Sequence, residues 1–237
     1  MIDVVGPSSV RWMGGEGVTR VVAVPGLGLS ADVPARTLAR LAPTASVALA
    51  LPGYGEPARR DAPRAPADLA AHLLDRLERL DVPPAVLLGH SASCQVVAHA
   101  AAMAPDRVTA LLLVGPTTDP RAAGWPALAG RWLRTAAHER PGQVPQLARD
   151  YTRTGAAAMG RAMDAARRDR IDRVLPALRC PVLIVRGRHD RISPADWVCH
   201  LASLASAGRA RTVPAGAHMI PLTHPRLVAP LLGDLLG

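Results

Sequence analysis

The feature that most constrains the fold is an alternation of short apolar runs with helical patterns along the 237 residues. Six runs are too continuous for strands with one exposed face, so they predict strands covered on both sides. They are residues 20–24, 47–51, 85–88, 108–114, 182–185 and 211–213. Strands that alternate with helices in this way favour a mostly parallel sheet between two helical layers.

Amphipathic patterns mark the helices. One apolar face carries Leu69, Leu73, Leu77 and Leu80, a second carries Trp197, Leu201 and Leu204, and a third lies within residues 227–235. The second helix follows a start signal in which Ser193 is expected to cap, Pro194 suits the first turn and Asp196 completes a capping box. Residues 2–5 and 10–13 could form an antiparallel hairpin at the sheet edge.

Residues 117–176, which we call the lid, break this alternation. They contain broken helical segments with no predicted strand, and they are too long for a simple crossover. We therefore divide the chain into a core of residues 1–116 and 177–237 and an inserted helical lid. The lid has 11 Arg against 6 acidic residues, and it holds Trp125, Trp132 and Tyr151. These aromatic residues could line a substrate pocket, or they could form the small core of the lid.

The net charge of +9 would ordinarily suggest nucleic acid or an anionic membrane as a partner. All 28 basic residues are Arg, however, and they are scattered among Asp and Glu, which is typical of a GC-rich coding sequence. We therefore expect no nucleic-acid and no membrane partner.

No apolar run reaches the roughly 20 residues that cross a bilayer, and the first residues lack the pattern of a signal peptide. The cysteines are odd in number and widely spaced, at Cys94, Cys180 and Cys199. This usage predicts a cytoplasmic protein with reduced thiols, without a metal site or a disulfide framework.

The strongest local signal is the segment 89–93, with the letters GHSAS, between a predicted strand and a predicted helix. Such a tight turn holds its central residue in a strained conformation and needs small neighbours. Ser91 would then stand exposed above the sheet, where its hydroxyl could attack a carbonyl group. The alternative is a capped helix with an ordinary surface serine.

A serine nucleophile needs a base, and the base needs a carboxylate to orient it. His218 is the best candidate for the base, because it lies in a loop after the last predicted strand. His224 is expected to cap the terminal helix, and His90 to be packed inside the structure. Asp190 follows the carboxyl end of a predicted strand, where ligand-facing residues collect, and is preferred to Asp196. The order Ser91, Asp190, His218 also matches the order typical of this turn.

The backbone amides of Leu27 and Ala92 are the candidates for an oxyanion hole. The segment 25–28, with the letters PGLG, follows a predicted strand, and its glycines allow the backbone to approach a substrate closely. The alternatives are an ordinary turn or a phosphate cradle. A phosphate cradle would lack the lysine and the third glycine of the known motifs.

With these residues assembled, the chain resembles the α/β-hydrolase superfamily over nearly its whole length. The matching segments are 25–28, 51–55 (LPGYG), 89–93, 187–190 (GRHD) and 216–218 (GAH). The resemblance implies an eight-stranded, mostly parallel sheet, a helical cap and a catalytic triad of Ser91, Asp190 and His218. The chain departs from the common pattern at Ser93, where the last glycine of the turn is usual, and at Pro25, where many members have histidine.

We interpret the chain as a serine hydrolase that cleaves a carboxylic ester, a lactone or a thioester of a small molecule through an acyl-enzyme, without a cofactor or a metal. Two alternatives remain open. The same machinery could act as a biosynthetic thioesterase or cyclase on a carrier-bound acyl chain. The fold could also be a non-hydrolytic scaffold that merely retains the triad.

Overall fold

The computed structural model describes residues 9–15 and 17–236. The strands found there are β1 (Val10–Met13), β2 (Val21–Val24), β3 (Ser46–Leu49), β4 (Leu51–Pro52), β5 (Gly55–Glu56), β6 (Ala85–His90), β7 (Val108–Val114), β8 (Val182–Gly187) and β9 (Gly208–Val213). The α-helices are α1 (Asp32–Leu38), α2 (Pro66–Arg79), α3 (Ser93–Met103), α4 (Trp125–Ala136), α5 (Val144–Thr154), α6 (Ala156–Ala166), α7 (Ile171–Val174), α8 (Ala195–Leu204), α9 (Ile220–Thr223) and α10 (Pro225–Gly233). Short 3₁₀ turns lie at Pro105–Arg107, Pro120–Ala122, Pro141–Gln143 and Leu175–Ala177.

Seven strands form the main sheet, in the order β1-β3-β2-β6-β7-β8-β9. Only β1, at the edge, runs antiparallel to its neighbour, and the other pairs are parallel. The fold is thus the mostly parallel one that was predicted, but the described residues supply seven strands of the main sheet rather than eight. The strand predicted at residues 2–5 lies outside the described residues, whereas residues 10–13 do form an antiparallel edge strand, on β3.

Burial of the central strands explains their continuous apolar sequences. Every residue of β2, β3, β6 and β8 is buried. One face of the sheet packs against α2, α3 and α8, and the other packs against α1 and α10. The last strand, β9, departs from the prediction. It starts at Gly208 rather than at residue 211, and its residues alternate between partly buried and exposed because it pairs with β8 on one side only.

The amphipathic patterns correspond to α2, α8 and α10. The prediction that Ser193 caps α8 is wrong. Pro194 occupies the N-cap position, and the Ser193 backbone N–H instead donates to a carboxylate oxygen of Asp190, at 3.0 Å.

The lid is helical throughout its regular structure. Helices α4 to α7 follow β7, and the described part of the chain has no strand between residues 117 and 176. Within the same described residues, no helix combines the length and the apolar character needed to cross a bilayer. The lid contacts the loops that follow β2, β8 and β9, which carry the candidate catalytic and oxyanion-hole residues other than Ser91 and Ala92.

Candidate active site

Ser91 stands at the turn between β6 and α3 in a conformation that is rare for a side-chain-bearing residue. Its φ is +60°, a region that costs an ordinary L-residue about 1–2 kcal/mol. Two hydrogen bonds hold the turn, since the Ser91 N–H donates to the Val114 carbonyl at 2.8 Å and the Ser91 carbonyl accepts from the Cys94 N–H at 3.1 Å. The backbone on each side therefore imposes the strained conformation that was predicted.

The neighbours of Ser91 are small because the strand and the helix nearly touch. A Cβ atom on Gly89 would lie 2.8 Å from the Cα of Cys94, which leaves no room for a side chain. Ser93, the departure from the usual glycine, fits because its hydroxyl has partners in the buried turn. It accepts from the His90 N–H at 2.7 Å and lies 2.9 Å from the Val24 carbonyl, which can accept its proton.

The structure brings Ser91, His218 and Asp190 together in one hydrogen-bonded chain. The Ser91 Oγ lies 2.8 Å from the His218 Nε2, and the His218 Nδ1 lies 2.8 Å from the Asp190 Oδ2. Asp190 is fully buried, and its other oxygen accepts from the backbone N–H groups of Ile192 and Ser193. Because the carboxylate can only accept from Nδ1–H, the neutral imidazole presents an unprotonated Nε2 to the serine hydroxyl.

The surroundings favour the protonated form of the His218 imidazole. Burial alone would lower its pKa, but the charge and hydrogen bond of Asp190, together with the charge of Glu139, outweigh burial and raise the pKa above its usual 6.5. His90, by contrast, is buried without a carboxylate partner, and burial lowers its pKa to about 3. Its Nε2 lies 3.0 Å from the His218 carbonyl and must donate, since a carbonyl oxygen only accepts.

The rival candidates lie outside this chain of hydrogen bonds. His224 stands at the N-cap position of α10, but its side chain makes no capping hydrogen bond, so that part of the prediction is wrong. Its ring instead contacts Arg140 and Thr223. The carboxylate of Asp196 forms an ion pair with Arg121 and accepts from the adjacent backbone N–H.

The loop after β2 lies against the nucleophile. A Cβ on Gly26 would stand 3.2 Å from the Cβ of Ser91, so this loop needs glycine to come so close. Leu27 lines the adjoining cavity, while Ala92 is fully buried at the start of α3. Within the described residues, neither the Leu27 N–H nor the Ala92 N–H donates to another protein atom.

A cavity of about 740 Å³ opens directly over Ser91 and His218. Its wall is largely apolar and includes Leu27, Leu29, Trp125, Leu128, Trp132, Leu133, Val144, Leu147, Tyr151, Met159, Met163, Ile192 and Met219. Trp125 and Trp132 are about half exposed, at 47% and 50%, so they lie at the rim of the cavity and not in a lid core. Tyr151 is less exposed and packs close to Gly28.

Sequence reasoning missed three residues that shape the site. Gly115, at the end of β7 with a φ of +60°, faces the hydrogen bond between His218 and Asp190. Thr135 and Glu139 reach the site loops from the lid. Gly115 had a local signal, because a glycine directly follows a central strand. Thr135 and Glu139 had none, because their contacts depend on how the lid packs against the core.

A metal site is not apparent among the residues that the structure describes, since no group of three or more His, Cys, Asp or Glu side chains is arranged to hold an ion. Ser91 and His218 line the cavity, together with further polar residues that include His90, Thr117, Thr135, Glu139, Arg140 and Gln143. Chemically, this arrangement offers a hydroxyl group and an imidazole base hydrogen-bonded to it at the wall of an apolar cavity.

Comparisons with known proteins agree with this architecture. A sequence profile described as "Alpha/beta hydrolase family" matches residues 21–231. A hydrolase from Oleispira antarctica superimposes with a TM-score of 0.83 at 16% identity, covering 99% of this chain and 96% of that one. At such an identity the structural likeness speaks for the fold alone.

Two curated relatives are similar in sequence. The chain is 31% identical to the dihydrolipoyllysine-residue acetyltransferase component of the acetoin cleaving system of Pseudomonas putida, over 89% of this chain and 58% of that protein. It therefore spans little more than half the length of that relative. It is also 29% identical to the pimeloyl-[acyl-carrier protein] methyl ester esterase of Neisseria meningitidis, over 93% of this chain and 78% of that protein.

Proposed function

The chain belongs to the alpha/beta hydrolase family, and from that premise we propose that it is a serine hydrolase that cleaves carboxylic esters through an acyl-enzyme. The observation that carries the proposal is the continuous hydrogen-bonded chain from Ser91 through His218 to Asp190. The strained turn at Ser91 and the apolar cavity above it support the same role.

In the proposed reaction, the Ser91 oxygen attacks the ester carbonyl while His218 Nε2 takes the hydroxyl proton. Asp190 stabilises the resulting imidazolium, and the amides of Leu27 and Ala92 donate to the oxyanion. The imidazolium then protonates the leaving alcohol, which departs and leaves an acyl-serine. Water, deprotonated by the same imidazole, releases the carboxylic acid and restores the serine.

The size and the apolar wall of the cavity suggest what kind of substrate group it would bind. A volume of about 740 Å³ suits a small molecule, and its wall suits an apolar acyl or alcohol group. In this proposal residues 117–176 act as the lid over the site, and Trp125, Trp132 and Tyr151 contact the substrate. The reaction needs only the chain's own groups and water.

A fluorophosphonate probe tests the nucleophile directly. We expect it to label the wild-type protein at Ser91, and Ser91→Ala to abolish the labelling and to lower kcat on a p-nitrophenyl ester by about 10³-fold or more. Ser203→Ala, which alters an exposed serine of α8, is the matched control and should retain both properties. A folded wild-type protein that neither reacts with the probe nor hydrolyses esters would instead favour a non-hydrolytic scaffold.

A second candidate, a thioesterase or cyclase acting on an acyl chain that a phosphorylated carrier holds, is favoured by the charge beside the cavity. Arg140 lines both the cavity and a neighbouring groove, which Arg36, Arg40 and Arg226 also line. The next groove adds Arg20, and no acidic residue is among the described residues that line either groove. Such a strip suits the phosphate groups of an acyl thioester. The Neisseria relative is named for an ester on an acyl-carrier protein.

The two candidates separate on a substrate panel. If a carrier holds the substrate, kcat/KM for an acyl-pantetheine thioester should increase when the pantetheine is phosphorylated or carrier-bound. Arg36→Ala combined with Arg226→Ala should then raise KM for the phosphorylated thioester alone, while Arg209→Ala, an exposed arginine of β9, should not. Equal kcat/KM values with and without the phosphate would exclude the carrier-dependent thioesterase and favour an esterase that acts on free substrates.

A further inference from the structure

The lid carries side chains that bind the backbone of three of the four loops bearing candidate site residues. Thr135 accepts the N–H groups of Arg191 and Ile192, next to Asp190. Asp150 accepts from Ser30, in the loop that follows β2. The third contact is the most direct, because Glu139 binds the backbone of His218 itself.

The carboxylate of Glu139 is built into the loop that carries the imidazole. Its Oε1 accepts from the His218 N–H at 2.7 Å and from the Met219 N–H at 2.8 Å. Its Oε2 accepts from the Gln143 side-chain amide at 3.2 Å. One lid side chain thus satisfies two consecutive backbone donors of this loop, whose Gly216 and His218 carbonyls accept from His189 and His90. Hydrogen bonds of a charged acceptor are the stronger kind.

We propose that Glu139 is a positioning residue that holds the His218 imidazole over Ser91 and, through its charge, stabilises the imidazolium formed during the reaction. The inference rests on the proposed serine-hydrolase function. It assigns to the lid a part in the chemistry besides that of a pocket wall, because Glu139 is the partner of two backbone N–H groups in the loop that carries the base.

The charges around His218 agree with this role. Asp190 faces the imidazole from the loop after β8, and Glu139 faces it from the lid, so two carboxylates favour its protonated form. From β6, His90 contributes a ring 5.1 Å away, which stays neutral at ordinary pH. Arg140, the residue after Glu139, is turned toward His224. Neutralising Glu139 should therefore lower the pKa of His218.

Two substitutions separate the charge of Glu139 from its hydrogen bonds. In Glu139→Gln the side-chain oxygen can still accept both backbone N–H groups. The new amide N–H can also be accommodated, because the buried Gln143 Oε1 has no partner and can face it once that amide flips. Glu139→Ala removes the acceptor altogether. Asp164→Asn, which neutralises a lid carboxylate paired only with Arg167 and Arg168, is the matched control.

For Glu139→Gln we expect kcat at alkaline pH to fall about two- to fivefold, because the imidazolium formed during the reaction loses the stabilising charge of Glu139. The acid limb of kcat/KM should move to lower pH, so that activity at pH 5.5 relative to the plateau rises about two- to fivefold. For Glu139→Ala we expect kcat to fall about tenfold with little change in KM, because the base is misplaced while the cavity remains. Asp164→Asn should show neither effect.

An acid limb of Glu139→Gln that coincides with that of wild type would overturn the electrostatic part, and a wild-type kcat for folded Glu139→Ala would overturn the positioning part. An NMR titration of the His218 imidazole in wild type and Glu139→Gln reports on the same pKa without any substrate. A titration midpoint that does not fall in Glu139→Gln would contradict the proposal, even if the protein hydrolysed no ester. Absence of Ser91-dependent hydrolysis would contradict the proposed function alone.

Discussion

Gly115 offers a sharp test of the geometry at the base. Its φ of +60° is unfavourable for alanine, and a Cβ atom built on it would lie 3.0 Å from His218 Nδ1 and 3.1 Å from Asp190 Oδ2. Ordinary contacts of a methyl group begin at about 3.5 Å, so Gly115→Ala must push the imidazole or the carboxylate by a few tenths of an ångström. Both atoms belong to the same hydrogen bond, which the added methyl group would strain directly.

The expected cost has two parts. Placing alanine at a positive φ should lower the free energy of unfolding by about 1–2 kcal/mol. The displacement of His218 should lower kcat by about tenfold, since a misplacement of 1 Å at a catalytic group can cost about 100-fold. KM should change little, because the added methyl group faces the His–Asp pair and Gly115 does not line the cavity.

Gly155→Ala supplies the control, because Gly155 also has a positive φ, of +85°, but a Cβ there would meet nothing within 4 Å. It should lose comparable stability in urea denaturation and keep the wild-type kcat. Steady-state kinetics on a p-nitrophenyl ester, measured well below the unfolding temperature, give the comparison. If Gly115→Ala and Gly155→Ala have the same kcat, the geometry of the His–Asp hydrogen bond does not control the rate.

Three further outcomes follow from buried and rim groups. Ser93→Ala removes the acceptor of the buried His90 N–H, so urea denaturation should show a loss of about 1–3 kcal/mol; an unchanged midpoint would contradict this. His90 stays neutral when folded and gains a proton on unfolding below pH 6.5, so stability falls as the pH falls through that value. Between pH 6.5 and 5, the free energy of unfolding of His90→Gln should therefore fall by about 1–2 kcal/mol less than that of wild type. Equal falls in the two proteins would mean that His90 is protonated in the folded state. Trp132→Ala should raise KM about fivefold for long-chain esters and leave short ones unaffected, and equal effects on both would remove Trp132 from the pocket.

The parts of the fold that were predictable from sequence are those that local patterns encode. A central strand such as β7 is buried by neighbours on both faces, so its apolar run is continuous and easily read. The glycine-flanked turn at Ser91 is also local, since it needs a strand, a strained residue and a helix in succession. The order of Ser91, Asp190 and His218 then follows from where each loop leaves the sheet.

Most of the parts that escaped prediction depend on contacts between distant segments. Ser193 is an exception, because Pro194 takes the N-cap position and the Ser193 N–H donates to Asp190, only three residues earlier. The start of β9 at Gly208 depends on backbone pairing with β8. The arginine-rich, partly exposed sequence of β9 gives no apolar pattern from which this pairing could be predicted. Glu139 and His218 are 79 residues apart in the sequence, so the residues around either of them do not predict their contact.

The two histidines beside Ser91 respond to acid in different ways, and this separates loss of activity from loss of structure. Two carboxylates raise the pKa of His218 above 6.5. As the pH falls through that pKa, the imidazole gains a proton and no longer acts as a base, while every contact of the loop can persist. His90 donates from Nε2 to the His218 carbonyl, and its buried Nδ1 has no partner, so a second proton there would be unsatisfied. The fold therefore resists protonation of His90 until far lower pH. Activity that is lost as the pH falls through the raised pKa of His218 should return on neutralisation, because the loss reflects the charge of one imidazole and not the unfolding of the site.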